Sequence, residues 1–205
     1  MSYTYDFPQA SPCSVVLIYT RDDDKLTLLT TKRANIVGPG RSLSAGGFDE
    51  VKDTFDKLNN KFNVKAGELV DGLAETYREM HEELSEGFKA IISYEEFEKR
   101  AEYLWDGMVP TEEFPVVHKV VARTLEVSKA EMEAIMALPS TSEQIGKKLE
   151  HFDLNFEKDQ KVDTSAIFNA LTGFKYDHEV QLAAKWYKRE QLRAQDRAPT
   201  MGPGL

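Results

Sequence analysis

Between Arg78 and Glu83 the chain reads "REMHEE", which sets Glu79, Glu82 and Glu83 at i, i+3 and i+4. In a helix that spacing gathers three carboxylates within about one turn, where like charges repel by a few tenths of a kcal/mol per pair. Hard divalent cations such as Mg²⁺ or Mn²⁺ take oxygen ligands and keep several waters, so a converging carboxylate set suits one of them. A metal held there neutralises an anionic substrate and lowers the pKa of a bound water, as phosphoanhydride hydrolysis requires. Arg78 stands beside the cluster and can ion-pair with Glu82 at i+4, or with an acid of the preceding loop, to hold the set in register. Taken alone, an acidic helix face is solvated surface, so the surrounding elements decide between the two.

The helix that carries these residues is the most strongly patterned segment of the chain. Over "LAETYREMHEELSE", Leu73, Tyr77, Met80 and Leu84 form an apolar stripe, and Glu75, Glu79, Glu82, Glu83 and Glu86 are expected on the opposite side. His81 lies off the stripe and is expected to be exposed rather than a ligand. Upstream, "NIVGPGRSLSAGGFDE" holds a proline and several glycines, so it is expected to be a shaped loop with Gly46 and Gly47 at its functional end. Val51 to Asn60 has helical spacing and is expected to form a short inserted helix, followed by a loop that reaches Gly72.

Stepping outward, Val15–Tyr19 and Leu26–Thr31 are β-prone runs around the polar "TRDDDK", the pattern of a hairpin whose second strand ends at Lys32 and Arg33. Ser93 with Glu96, and Ser128 with Glu131, have capping-box spacing and open two further helices. Val116 to Val127 alternates and is β-branched, which predicts a core strand. A last helix is expected near His178 to Arg193, and the tail "APTMGPGL" is expected to be disordered. The whole fits one domain over residues 1–195, with an insertion at about 50–72 and a tail over 196–205.

Composition narrows the function classes. The 205 residues carry 35 acidic and 26 basic side chains, a net charge of −9, and this balance disfavours a nucleic-acid partner in the absence of a segregated basic patch. Cys13 is the only cysteine, so no internal disulfide forms, and a cytoplasmic setting is expected. The apolar run Val15–Tyr19 is too short for a membrane span or a signal-peptide core. His118, His151 and His178 lack the mutual spacing of a zinc site.

The order hairpin, "SAGGFDE", "REMHEE", strand and helix resembles the Nudix hydrolase family, whose signature is GX5EX7REUXEEXGU, with U aliphatic. Arg78, Glu79, Met80, Glu82 and Glu83 fall on its R, E, U, E and E, and the resemblance covers roughly Ser14 to Ile135. The departures are specific. Gly47 lies thirty-one residues before Arg78 where the signature has fourteen; Val70 stands where an earlier signature glutamate belongs, with Glu68 and Asp71 nearby; and Ser85 stands at the signature glycine.

The resemblance implies an α/β/α sandwich, an α/β fold with a mixed β-sheet between helices. It also implies a Mg²⁺- or Mn²⁺-dependent hydrolase of a nucleoside diphosphate linked to another moiety. The metal ligands it implies are Glu79, Glu82, Glu83 and the Gly47 carbonyl, with Arg78, Glu82 and Glu83 as the catalytic group. The general base in such enzymes comes from the signature helix or a later loop, which leaves Glu83, Glu112, Glu113 and Glu126 as candidates. Lys32, Arg33 and Arg41 are candidate phosphate contacts. Trp105, with Tyr103 and Phe114, is a candidate for stacking on a base, against the alternative of ordinary packing. The resemblance points to a homodimer. An inactive Nudix-like nucleotide-binding or regulatory module is the alternative, favoured by Val70; a structural acidic protein with an accidental motif is a third reading.

Overall fold

The computed structural model describes residues 11–33, 40–43, 45–48, 55–56, 61–62, 73–110, 117–142, 144–174 and 177–197. Its centre is the alternating run Val15 to Tyr19. Val15, Leu17 and Tyr19 are buried in one apolar cluster while Val16 and Ile18 are buried in another, so strand β1 (Ser11–Asp22) has a core on each face. A strand covered on both sides reads as a continuous apolar run, and its alternation shows only in which cluster each residue joins.

β1 turns at Asp23 and Asp24 into β2 (Lys25–Arg33), and the two pair antiparallel over Tyr19–Asp22 and Lys25–Leu28. Beyond those rungs the hairpin splits. β3 (Gly40–Leu43) pairs with the second half of β2, and β4 (Ala45–Phe48) pairs with the first half of β1, Ser14 opposite Gly47 and Val15 opposite Gly46. The glycine-rich segment is therefore strand over these residues rather than the expected loop. Pairing supplies what local propensity lacks, because β4 satisfies its backbone groups on β1.

In the insertion, β5 (Phe55–Asp56) pairs antiparallel with β6 (Lys61–Phe62), strand rather than the expected helix at 55–56 and the expected loop at 61–62; the rest of 50–72 lies outside the described residues. β7 (Glu102–Pro110) and β8 (Val117–Glu126) pair antiparallel, and β8 lies parallel to β1 from Ser11 opposite His118 to Tyr19 opposite Glu126. β9 (Gln144–Asp153) closes the other side, antiparallel to β2. Seven of the described strands form this one mixed sheet.

Helices cover both faces. On one, α1 (Leu73–Leu84), a 3₁₀ turn (Glu86–Ala90), α2 (Tyr94–Arg100) and α3 (Lys129–Ala137) bury Met80, Leu84, Phe88, Ile92, Phe97, Met132 and Ile135 against Val16, Ile18, Leu29 and Leu125. On the other, α4 (Ser165–Ala170) and α5 (Asp177–Arg197) bury Ile167, Leu182, Trp186 and Tyr187 against Leu17, Tyr19, Leu28 and Phe152. The fold is thus an α/β/α sandwich. Both predicted capping boxes are formed, Ser93 with Glu96 and Ser128 with Glu131. The last helix runs to Arg197, beyond the expected Arg193, and residues 198–205 lie outside the described residues. No described helix is long and apolar enough to cross a membrane.

Candidate functional site

α1 is fixed before its carboxylates are placed. Tyr77 donates its hydroxyl to the Ile92 carbonyl at 2.8 Å, and its ring lies 5.3 to 6.2 Å from the rings of Tyr94, Phe97 and Phe88. Met80 and Leu84 are fully buried beneath it. Among the strands, α1 packs chiefly against β4, which carries the two glycines.

That packing divides the glutamates in a way the charge pattern does not anticipate. Glu79 is 9% exposed and Glu83 3%, with Thr76 fully buried one turn before Glu79, whereas Glu82 and Glu86 are exposed. The expectation of one continuous carboxylate face opposite the apolar stripe is corrected. At about 100° per residue Glu83 lies only about 60° from Met80 and about 40° from Glu79, so both flank the buried stripe. A buried carboxylate is costly unless it is hydrogen-bonded or faces a cation.

Arg78 supplies part of that compensation. Its guanidinium contacts Glu79 at 2.5 Å and Glu82 at 2.7 Å, bridging the buried and exposed sides of the cluster. Arg78, Glu79 and Glu83 have further interactions besides these. Among the described residues, no group of three or more His, Cys, Asp or Glu side chains is arranged to hold a metal ion by itself. The donor set that α1 offers is therefore the buried pair Glu79 and Glu83, with Glu82 at the surface. A Mg²⁺-like ion that retains several waters can be held by one or two carboxylates.

The end of α1 is unusual. Ser85 has φ 132° and ψ 148°, a region that glycine occupies without cost and a side chain does not. This is the position where the signature resembled by the sequence has glycine, so the backbone keeps the glycine shape although the residue is serine. Three hydrogen bonds hold it: Ser85 N–H donates to His81 O at 3.1 Å, Phe88 N–H to Ser85 O at 2.9 Å, and Gly87 N–H to Ser85 Oγ at 3.3 Å. The turn before β9 locks onto the same end, Thr141 donating its hydroxyl to Glu83 O at 3.0 Å.

His81 is half-buried, not exposed. Its ring meets Tyr77 edge-on at 4.3 Å, and burial together with the Lys89 ammonium lowers its pKa from the ordinary value.

The remaining sequence candidates lie elsewhere. Arg41 donates to Thr30 Oγ1 at 2.8 Å and to Ala170 O at 3.3 Å, ion-pairs with Glu150, and stacks over the Phe174 ring at 5.2 Å. It shares a strand face with Leu43, which belongs to the α5-side cluster, so it fastens β3 to β9 and α4 rather than reaching α1. Trp105 also packs on the α5 side, with Lys185 Nζ 5.7 Å from its ring centre. It folds over Gly107, where a Cβ would lie 2.2 Å from the indole. The indole is half-buried in this packing.

Glu126 accepts from the Tyr19 hydroxyl at 3.0 Å and faces Arg21 at 3.8 Å, on the α5 side as well. Arg33 sits half-buried at the end of β2, and its charge acts on the buried Glu179. Glu112, Glu113, Phe114 and Val70 lie outside the described residues. Sequence reasoning missed Thr141, whose only signal is a polar turn between a helix and a strand.

No family model matches the chain, and no curated protein matches it. Solved structures do match. An Ap4A hydrolase of C. elegans, in a binary complex, superposes with a TM-score of 0.46 at 11% identity, over 88% of this chain and 98% of that one. A MutT/nudix family protein from Enterococcus faecalis gives 0.49 at 14% identity, over 94% of this chain and 70% of that one. The NUDIX domain of Shewanella oneidensis NrtR, complexed with ADP ribose, gives 0.44 at 16% identity, over 94% of this chain and 99% of that one. With TM-scores below one half, these likenesses carry no part of the functional reading, which rests on the side chains of α1.

Proposed function

We propose that this protein is a divalent-metal-dependent hydrolase that cleaves the phosphoanhydride of a nucleoside diphosphate linked to another moiety. The observation that carries the reading is the pair of buried carboxylates, Glu79 and Glu83, one helical turn apart on α1, the helix whose chief strand neighbour is the glycine strand β4. It is supported by the order of the sequence motifs, in which "REMHEE" follows the hairpin and "AGGF".

Glu79 and Glu83 would hold Mg²⁺ or Mn²⁺, with Glu82 and the Gly47 carbonyl as further oxygen donors. The ion, when bound, supplies charge neutralisation for the diphosphate and an acidified water. Arg78 keeps Glu79 and Glu82 in place through its two ion pairs, a positioning role. Glu83 is the general base favoured among the described candidates, Glu126 being engaged with Tyr19 on the far side of the sheet, while Glu112 and Glu113 lie outside the described residues. Arg33 remains the phosphate contact of choice, Arg41 being committed to Glu150.

The test is a panel of diphosphate compounds incubated with Mg²⁺ or Mn²⁺, with products resolved by chromatography, for the wild type and Glu83→Gln. Release of a nucleoside monophosphate by the wild type alone is expected. A second reading, a nucleotide-binding module without turnover, is favoured by the Arg78 ion pairs, which occupy oxygens of Glu79 and Glu82. Saturable binding of an intact diphosphate without products under either metal would select it.

A further inference from the structure

β8 lies inside the sheet, between β1 and β7, and its side chains alternate between the two faces. Val120 and Ala122 are buried in the α5-side cluster, and Leu125 is buried in the α1-side cluster. Lys119, Val121 and Arg123 share the face of Leu125, yet all three are only half-buried. An interior strand covered by helices on both faces reads as a continuous apolar run. Two cations four residues apart on the α1-side face of such a strand break that pattern, and the register shows what they flank.

Val121 lies opposite Ser14 of β1, and Ser14 lies opposite Gly47 of β4, so the three share one rung of the α1-side face. At about 4.8 Å per strand, Val121 is about 10 Å from the Gly47 backbone. Lys119 and Arg123 stand on the rungs to either side of Val121, each about 7 Å along β8. On β7 the same three rungs carry Met108, Asp106 and Tyr103. Over this patch the cations outnumber the acids two to one, in a chain of net charge −9. Asp106 is engaged by the Tyr103 hydroxyl. Met108 and Tyr103 are 58% and 59% exposed, so two large apolar surfaces border the cations.

The two cations select an anion, and their neighbours select its body. A bare anion gains nothing from Met108 and Tyr103, whereas a nucleoside can lay its apolar face against them. The place matters as well: the patch begins one strand beyond Ser14, within a diphosphate's reach of the Gly47 backbone. We propose that Lys119 and Arg123 form a phosphate subsite. They hold the phosphoryl group that lies away from the α1 carboxylates, with Met108 and Tyr103 against the nucleoside. The subsite rests on the reading above for its ligand, a nucleoside diphosphate, and not for cleavage of that ligand.

The experiment is a calorimetric titration of the full chain in excess Mg²⁺ with α,β-methylene ADP, whose bridge water does not cleave. Methylenediphosphonate and inorganic phosphate are titrated alongside. The wild type should bind the methylene nucleotide saturably and methylenediphosphonate more weakly. Lys119→Met and Arg123→Gln should each weaken both ligands about tenfold or more, the loss of one hydrogen bond to a charged group. Arg123→Lys, which restores the charge, should recover part of that loss, which a merely misfolded Arg123→Gln would not explain. Equal binding by the wild type and both charge-removing variants overturns the subsite. So does inorganic phosphate binding as tightly as methylenediphosphonate, or the absence of saturable nucleotide binding. A wild-type dimer that Lys119→Met and Arg123→Gln dissociate also overturns it, since the face would then be an interface between copies. Failure of the hydrolase reading looks different: binding that both variants weaken, with no compound cleaved, keeps the subsite and removes only the turnover. Cleavage by a wild type whose variants bind equally well does the reverse.

Discussion

Replacing Ser85 by glycine should make the protein more stable, although glycine ordinarily weakens a fold. The serine sits at φ 132°, ψ 148°, and holding a side chain there costs about 1–3 kcal/mol. Against that release stand two losses. Glycine adds about 0.5–1 kcal/mol of unfolded-state entropy. The Gly87 N–H would also lose the Ser85 Oγ, a long contact at 3.3 Å, and exchanging a capping serine for glycine costs only a few tenths of a kcal/mol. The net is about 1 kcal/mol in favour of Ser85→Gly, or about 2–4 °C in Tm for a chain of this size. Ser85→Ala keeps the strained Cβ and loses the hydroxyl, so it should be destabilised by about 1 kcal/mol. Urea titrations of the three proteins, with thermal melts alongside, decide the matter. A Ser85→Gly variant less stable than the wild type by 1 kcal/mol or more would refute the strain argument.

Other consequences follow from buried and paired charges. Glu179, buried on the inner side of α5 and, among the described residues, accepting at 3.3 Å from Leu43 N–H, has its pKa raised by burial to about 7, with the Arg33 charge opposing the shift. The folded state therefore prefers the protonated form: the contribution of Glu179 is most favourable below pH 4.5 and falls as pH rises toward 7, so Glu179→Gln should remove that part of the slope and gain up to about 3 kcal/mol at pH 8. Equal pH slopes for the two proteins in urea would contradict it. Glu131 shows the reverse sign. The Arg100 guanidinium at 2.7 Å and the Ser128 cap hold its pKa near 2, so its contribution is present above pH 4.5 and lost as pH falls toward 2. Glu131→Gln should cost about 1–3 kcal/mol at pH 7 and little at pH 2, read from denaturant midpoints at both. Thr141→Val should lower stability by about 1 kcal/mol through the lost bond to Glu83 O, measured by thermal unfolding.

What sequence reading captured is local. The β1–β2 hairpin, α1 and both capping boxes each rest on residues within a few positions of one another, where propensity and hydrogen bonding agree. What it missed depends on distant partners. Gly46 and Gly47 become strand only because β1 lies alongside them, more than thirty residues earlier in the chain. β7 interrupts its pattern with Asp106, Gly107 and Pro110, and among the described strands it pairs only with β8. β9 hides behind Lys147, Lys148 and Glu150. The metal candidates were found as a motif, but their division into buried Glu79 and Glu83 against exposed Glu82 was hidden, since charge suggests the surface and only the packing of α1 on β4 decides otherwise.

The account turns on that division. Mn²⁺ binding, followed by electron paramagnetic resonance on the wild type, Glu83→Gln and Glu86→Gln, tests it most directly. One saturable site is expected in the wild type, unchanged in Glu86→Gln and weakened about tenfold or more in Glu83→Gln, the loss of one charged ligand. Saturable binding that survives Glu83→Gln, or no saturable binding in the wild type, would contradict the claim that the buried carboxylates of α1 are a metal site.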